Sequence, residues 1–155
     1  MLRIWLMEYS YRLSVYGCRF QLCKNYLKMK KEYTELEVCI ESRKLVNLIY
    51  ENSKAFPKEE IFGLTNQMRR SAVSVPSNIA EGLGRKSANE VIHFLHLSRG
   101  SLYELETQCY LSFGQNYISE DNLDILLAQI LSCKKLLNGF INYFKTLNNP
   151  TTDNQ

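Results

Sequence analysis

Residues 61–84 read IFGLTNQMRRSAVSVPSNIAEGLG. Within them Ile61, Leu64, Met68, Ala72, Val75 and Ile79 recur at intervals of 3, 4, 4, 3 and 4, which lays apolar side chains along one face of an α-helix. Pro76 removes one rung of the hydrogen-bond ladder and crowds the carbonyl four residues back, so a bend is expected near Ala72 to Pro76. Gly82 and Gly84 are expected to stop the helix by adopting the left-handed conformation. A helix with one apolar stripe needs another element to cover it, so the flanking sequence decides the architecture.

Downstream, Ser87-x-x-Glu90 has the spacing of a capping box, in which hydroxyl and carboxylate satisfy each other's free N–H groups. It opens a helix through Val91, Leu95, Ser98, Leu102, Leu105 and Cys109, reaching about Phe113. Gly100 inside it costs about 1 kcal/mol of helix propensity, which predicts close approach of another backbone. Ser119 precedes Glu120 and Asp121 and caps a further helix whose Leu123, Leu126, Ile130, Cys133, Leu137, Phe140 and Phe144 repeat 3, 4, 3, 4, 3, 4. Upstream, Thr34-x-x-Glu37 predicts a capping box for a first helix from about Leu36 to Ala55, with Val38, Leu45, Val46, Ile49 and Phe56 near one face. Phe56-Pro57 should end it, with Pro57 opening the second helix and Glu59 and Glu60 in its first turn. Four amphipathic helices on short links can bury their stripes only against one another. The fold is read as all-α: an antiparallel up-down four-helix bundle over residues 29–147, followed by a polar tail, 148–155.

The 155 residues suffice for one domain, and 45% hydrophobic with 23% charged side chains is a globular composition. The net charge of +3 is unevenly spread. Residues 1–28 hold Arg3, Arg12, Arg19, Lys24 and Lys28 against Glu8; the rest holds 14 basic and 15 acidic side chains. That shift, with Met29 as a plausible start, predicts that residues 1–28 are an extension outside the core. Any attraction of the main body for nucleic acid must then come from local clustering. Five cysteines without a C-x-x-C pair argue against a disulfide framework or zinc knuckle. With no membrane span or signal-peptide core, a cytoplasmic protein is expected.

The stretches FPKEEIFGLTNQMRRSAVSVPSNIAEGLGRKS, Phe56 to Ser87, and FLHLSRGSLYELETQ, Phe94 to Gln108, carry a resemblance. Over about residues 33–147 the chain resembles the four-helix-bundle family of proteins encoded in intervening sequences of bacterial 23S ribosomal RNA. Related proteins include accessory subunits of diversity-generating retroelements, homopentameric barrels that bind nucleic acid and a reverse transcriptase. The resemblance implies a bundle, a homopentamer and a non-enzymatic role, with RNA or DNA, or a reverse transcriptase or other nucleic-acid enzyme, as partner.

Residue by residue, Arg69, Arg70, Arg85 and Lys86 could contact phosphate. For Arg69 and Arg70 the favoured alternative is a structural charge network with Glu104 and Glu106 of the third helix. Arg85 and Lys86, in the Gly-rich connection, are the better nucleic-acid candidates, and Lys134 and Lys135 could extend a basic rim. Asn66, Arg70, Ser74, Ser77 and Glu81 form a polar strip opposite the apolar seam. Ser77 has no His or acid at a spacing that would activate it, so no catalytic residue is assigned. Gly82-Leu83-Gly84-Arg85-Lys86 lacks the spacing and preceding strand of a phosphate-binding loop. Glu90-x-x-His93 is half of a di-iron motif whose other half is missing, so no metal or cofactor is assigned.

Overall fold

The computed structural model describes residues 33–148. The expected extension over residues 1–28 and most of the predicted tail lie outside them. Four α-helices form the described body: α1, Glu37–Asn52; α2, Leu64–Leu83; α3, Ala88–Gly114; and α4, Glu120–Asn148. No strand occurs among the described residues. Each helix packs on two neighbours, in the ring order α1, α2, α3, α4 and back to α1, with α2 against α3 the most extensive contact.

The stripes meet as their spacing requires. Met68, Ala72, Val75 and Ile79 of α2 face Val91, Leu95, Leu102, Leu105 and Cys109 of α3, and all are buried. Leu45 and Ile49 of α1 and Leu126, Ile130 and Leu137 of α4 complete the core. The Ser98 hydroxyl of α3 donates to the Val75 carbonyl of α2 at 3.0 Å, and that of Ser112 reaches the Met68 sulfur at 3.1 Å. These contacts run in opposite directions along the two helices, so α2 and α3 are antiparallel. In α4 the buried series continues from Leu137 to Ile141 and Phe144, while Phe140 is only half-buried. An ideal helix drifts against a strict seven-residue repeat, and one four-residue step restores the face.

The helix ends depart from several expectations. The Thr34–Glu37 capping box does not form: Tyr33–Glu35 is a 3₁₀ turn, Leu36 is the cap residue of α1 without a side-chain bond, and the Thr34 carbonyl accepts from Arg43 at 2.8 Å. Pro57 does not open α2. It leads a 3₁₀ turn, Lys58–Ile61, and α2 starts after Gly63, leaving Ile61 52% exposed rather than on the seam. Glu60 does the capping instead: its Oε2 accepts the Leu64 N–H at 2.7 Å, and Tyr117 O–H donates to its Oε1 at 3.3 Å. Burial and the adjacent Glu60 carboxylate push the Tyr117 phenol above its ordinary pKa. Phe56 is buried as expected, with its ring 5.3 Å from that of Tyr117.

Helix α2 runs continuously through Pro76 to Leu83, and Gly84 caps it with φ −73°, not in the left-handed region. Gly82 serves packing instead, since a Cβ there would sit 2.9 Å from Phe94 Cβ and 3.3 Å from the Val91 carbonyl oxygen. Gly100 reverses the expectation made for it, because nothing lies within 4 Å of where its Cβ would be. The left-handed residue that closes α3 is Asn116, φ 57°, with Tyr117 N–H bonded to Ser112 O and Asn116 N–H to Phe113 O, the paired bonds of a Schellman motif.

Both serines cap their helices as predicted, but the Glu90 carboxylate takes the Ser87 hydroxyl rather than the Ser87 backbone N–H of a reciprocal capping box. Ser87 Oγ accepts the Glu90 N–H at 3.3 Å and donates to the Glu90 carboxylate at 2.8 Å, and Ser119 Oγ accepts the Asn122 N–H at 3.3 Å. Ser87→Ala should therefore lower unfolding free energy by about 1 kcal/mol in a urea titration, whereas Ser77→Ala, an exposed position in mid-helix, should change it by less than about 0.5 kcal/mol.

Candidate functional site

The polar strip of α2 becomes a site because α1 lies beside it. Tyr50 of α1 and Asn66, Arg69, Arg70, Val73, Ser74, Ser77 and Asn78 of α2 line an open groove of about 360 Å³. Its lining contains two guanidiniums and no carboxylate. Arg69 is held in place: its Nε donates to Ser53 Oγ at 2.8 Å, and the guanidinium carbon lies 4.9 Å over the Tyr50 ring. Arg70 is exposed, and no ion pair or side-chain hydrogen bond of Arg70 occurs among the described residues. Ser74 and Ser77 turn their hydroxyls back onto the Arg70 and Val73 carbonyls, at 2.9 and 2.8 Å. Ser77 is thus engaged with its own helix.

The expected network of Arg69 and Arg70 with Glu104 and Glu106 is not the arrangement found. Arg69 turns toward α1, away from α3. Glu104 accepts from Gln108 at 3.2 Å, and Glu106 pairs with Lys134 of α4 at 2.7 Å. Two helices flank α2, and sequence spacing does not tell which one a side chain at its margin meets.

Among the basic candidates, Arg85 is committed to structure. It pairs with Glu81 one turn back, its guanidinium lies 4.6 Å over the Phe94 ring, and its buried Nε has no partner. Lys134 is likewise committed, with its side chain 12% exposed, paired with Glu106 and 3.9 Å over the Tyr103 ring. These two positions join helices, α2 to α3 and α4 to α3. Lys86 and Lys135 are exposed, without an ion pair among the described residues. Of the predicted positions, Arg70, Lys86 and Lys135 are therefore available to an outside anion, and Arg70 belongs to the groove.

Glu90 spends its carboxylate on the Ser87 cap. Cys39, Cys109 and Cys133 are buried free thiols, raised by burial to about 11, 12 and 11, far from the thiolate state that nucleophilic or redox chemistry needs. Among the described residues no helix is long and apolar enough to cross a membrane.

A second surface was not anticipated. The outer side of α3 carries Leu97, Tyr103, Tyr110 and Leu111, each 44–55% exposed, around the open Gly100. Leu97, Gly100, Glu104, Thr107 and Leu111 follow intervals of 3, 4, 3 and 4 and are all exposed, a second seam beside the buried one. The same spacing was present in the sequence, masked by the stronger apolar series two residues out of phase.

Comparison with known proteins bears on the fold and on descent. The family whose model matches this chain is described as 23S rRNA-intervening sequence protein, and the match covers residues 34–139. A crystal structure of a protein of unknown function from the S23 ribosomal protein family of Bacteroides thetaiotaomicron is similar, with TM-score 0.63 and 23% identity, over 67% of this chain and 97% of that one. At that identity the likeness concerns the fold. Among curated proteins none matches.

Proposed function

The chain belongs to the 23S rRNA-intervening sequence protein family, and on that footing we propose that it is a non-enzymatic bundle that binds RNA or DNA as a homo-oligomer in the cytoplasm. The observation that carries this reading is the α1/α2 groove, lined by Tyr50, Asn66, Arg69, Arg70 and Asn78 with no carboxylate. Arg70 supplies a paired-donor cation for phosphate oxygens, the two Asn amides supply neutral donors, and Tyr50, 40% exposed, offers a ring on which a base can stack. Lys86 and Lys135 add exposed positive charge elsewhere on the bundle.

Oligomerisation compensates for the near-neutral subunit, since several copies repeat one weak site and raise its avidity. The second seam of α3 supports it: Leu97 and Leu111 are exposed at helical spacing, with Gly100 between them giving a neighbouring backbone room. The resemblance to pentameric relatives sets the expected copy number at five. Multi-angle light scattering at micromolar concentration should give a mass several times 18.1 kDa.

The binding reading is tested by fluorescence anisotropy with a labelled single-stranded RNA and the corresponding DNA. Arg70→Ala/Lys86→Ala should weaken binding and reduce the slope of log K against log salt by about 1.4, two phosphate contacts at about 0.7 each. An unchanged slope would remove these residues from the interface. The alternative, a protein-interaction scaffold, draws on the exposed α3 seam; partners that persist in a pull-down after nuclease treatment would favour it.

A further inference from the structure

The groove between α3 and α4 gathers charge in a way the linear sequence hides. Asn148 of α4 donates to Asn89 of α3, and Arg99 of α3 reaches Asn138 Oδ1 of α4 at 3.5 Å. Ten residues separate these contacts on each helix, which fixes an antiparallel register. Between them lie His93 and His96 on α3 and Asn142 and Lys145 on α4, exposed except for the half-buried His96. The charges that reach His96 are all positive, from Arg99, Lys145 and His93. No carboxylate among the described residues pairs with Arg99 or Lys145: Glu90, the acid nearest His93 and His96 in sequence, is held by Ser87, and Glu104, the nearest to Arg99, accepts from Gln108.

Cations set together without counter-charge repel one another unless an outside anion joins them. His93, His96 and Arg99 climb α3 in steps of about 4.5 Å, so the donor groups form a line about 9 Å long rather than a pocket for one small anion. Exposed Asn138, Asn142 and Asn89 border that line with amide groups. We infer that the α3/α4 groove is a second nucleic-acid contact, in which Arg99, Lys145, His93 and His96 bind the phosphodiester backbone of a single strand. It rests on the nucleic-acid reading above and extends it to the flank opposite the α1/α2 groove, so that one subunit engages strands on two sides. Burial and the neighbouring cations hold His96 below the ordinary histidine value; phosphates laid along the groove reverse the second cause and favour the imidazolium.

The experiment follows the His96 ring protons by NMR across pH in the full chain, free, with a saturating single-stranded RNA oligonucleotide, and with inorganic phosphate at equal phosphate concentration. The RNA should raise the His96 midpoint above that of the free chain, and inorganic phosphate should raise it much less. Arg99→Ala/Lys145→Ala should lower the salt slope of RNA binding by about 1.4 and abolish the His96 response, while Arg99→Lys retains part of it. A His96 midpoint unmoved by bound RNA, or a salt slope unchanged in the double variant, overturns the inference. If Arg70→Ala/Lys86→Ala still weakens binding in that case, the proposed function stands and only this second contact falls. Absence of RNA binding by the wild-type chain removes both. An equal response to inorganic phosphate also overturns the assignment to a strand, because the groove then holds a free anion.

Discussion

Leu102→Ala should lower the free energy of unfolding by about 3 kcal/mol, within the range for deleting a buried leucine side chain without collapse of the site. Leu102 is 0% exposed, near the middle of α3, the helix that packs on both α2 and α4. Helices on two sides are fixed by their own stripes and cannot both move in to fill the void, so the cavity cost adds to the lost transfer energy. Leu102→Met, nearly equal in volume, should cost less than about 1.5 kcal/mol, and Leu111→Ala, on the exposed seam, less than about 0.5 kcal/mol in the separated subunit. Urea titration of all three checks the order. A Leu102→Ala loss below about 1 kcal/mol would mean that this stripe is not the buried one.

Two glycines should respond differently to an added side chain. At Gly82 a Cβ would press on Phe94 Cβ at 2.9 Å and on the Val91 carbonyl at 3.3 Å, so α2 and α3 must separate. Gly82→Ala then gives back the propensity gain, and Gly82→Val should cost about 3 kcal/mol through overpacking. At Gly100 the space is open, so Gly100→Ala should stabilise the separated subunit by about 0.5–1 kcal/mol. Thermal unfolding should move down for Gly82→Val and up for Gly100→Ala. If Gly100 accommodates a neighbouring copy, Gly100→Ala should also loosen the assembly in light scattering while the subunit itself is firmer.

The number, order and buried faces of the helices follow from spacing alone, because a stripe at intervals of 3 and 4 has a single low-energy solution in a chain this short. The Ser87 and Ser119 caps are local chemistry and appear where their residues stand. What spacing does not carry is the competition at an element's margin. Pro57 suits a first helical position, yet Glu60 three residues on caps Leu64 and moves the start of α2 past Gly63. Arg69 reads as a partner of the α3 carboxylates and Arg85 as a free cation, yet Tyr50, Ser53 and Phe94 engage them, on segments whose approach is set by the core. Gly82 and Gly100 look alike in sequence, and the close approach of Phe94 Cβ and the Val91 carbonyl to Gly82 distinguishes them. The α3/α4 groove was least apparent, since Arg99 and Lys145 stand 46 residues apart and meet only through the register of two long helices.

That a bundle of near-neutral charge binds nucleic acid through cations left without carboxylate partners is decided by one binding isotherm series. Full-length protein titrated into a labelled single-stranded RNA at about 50, 100 and 200 mM salt should bind at the lowest concentration, with log K falling linearly in log salt. Absence of binding at about 50 mM, or an affinity indifferent to salt, would contradict it.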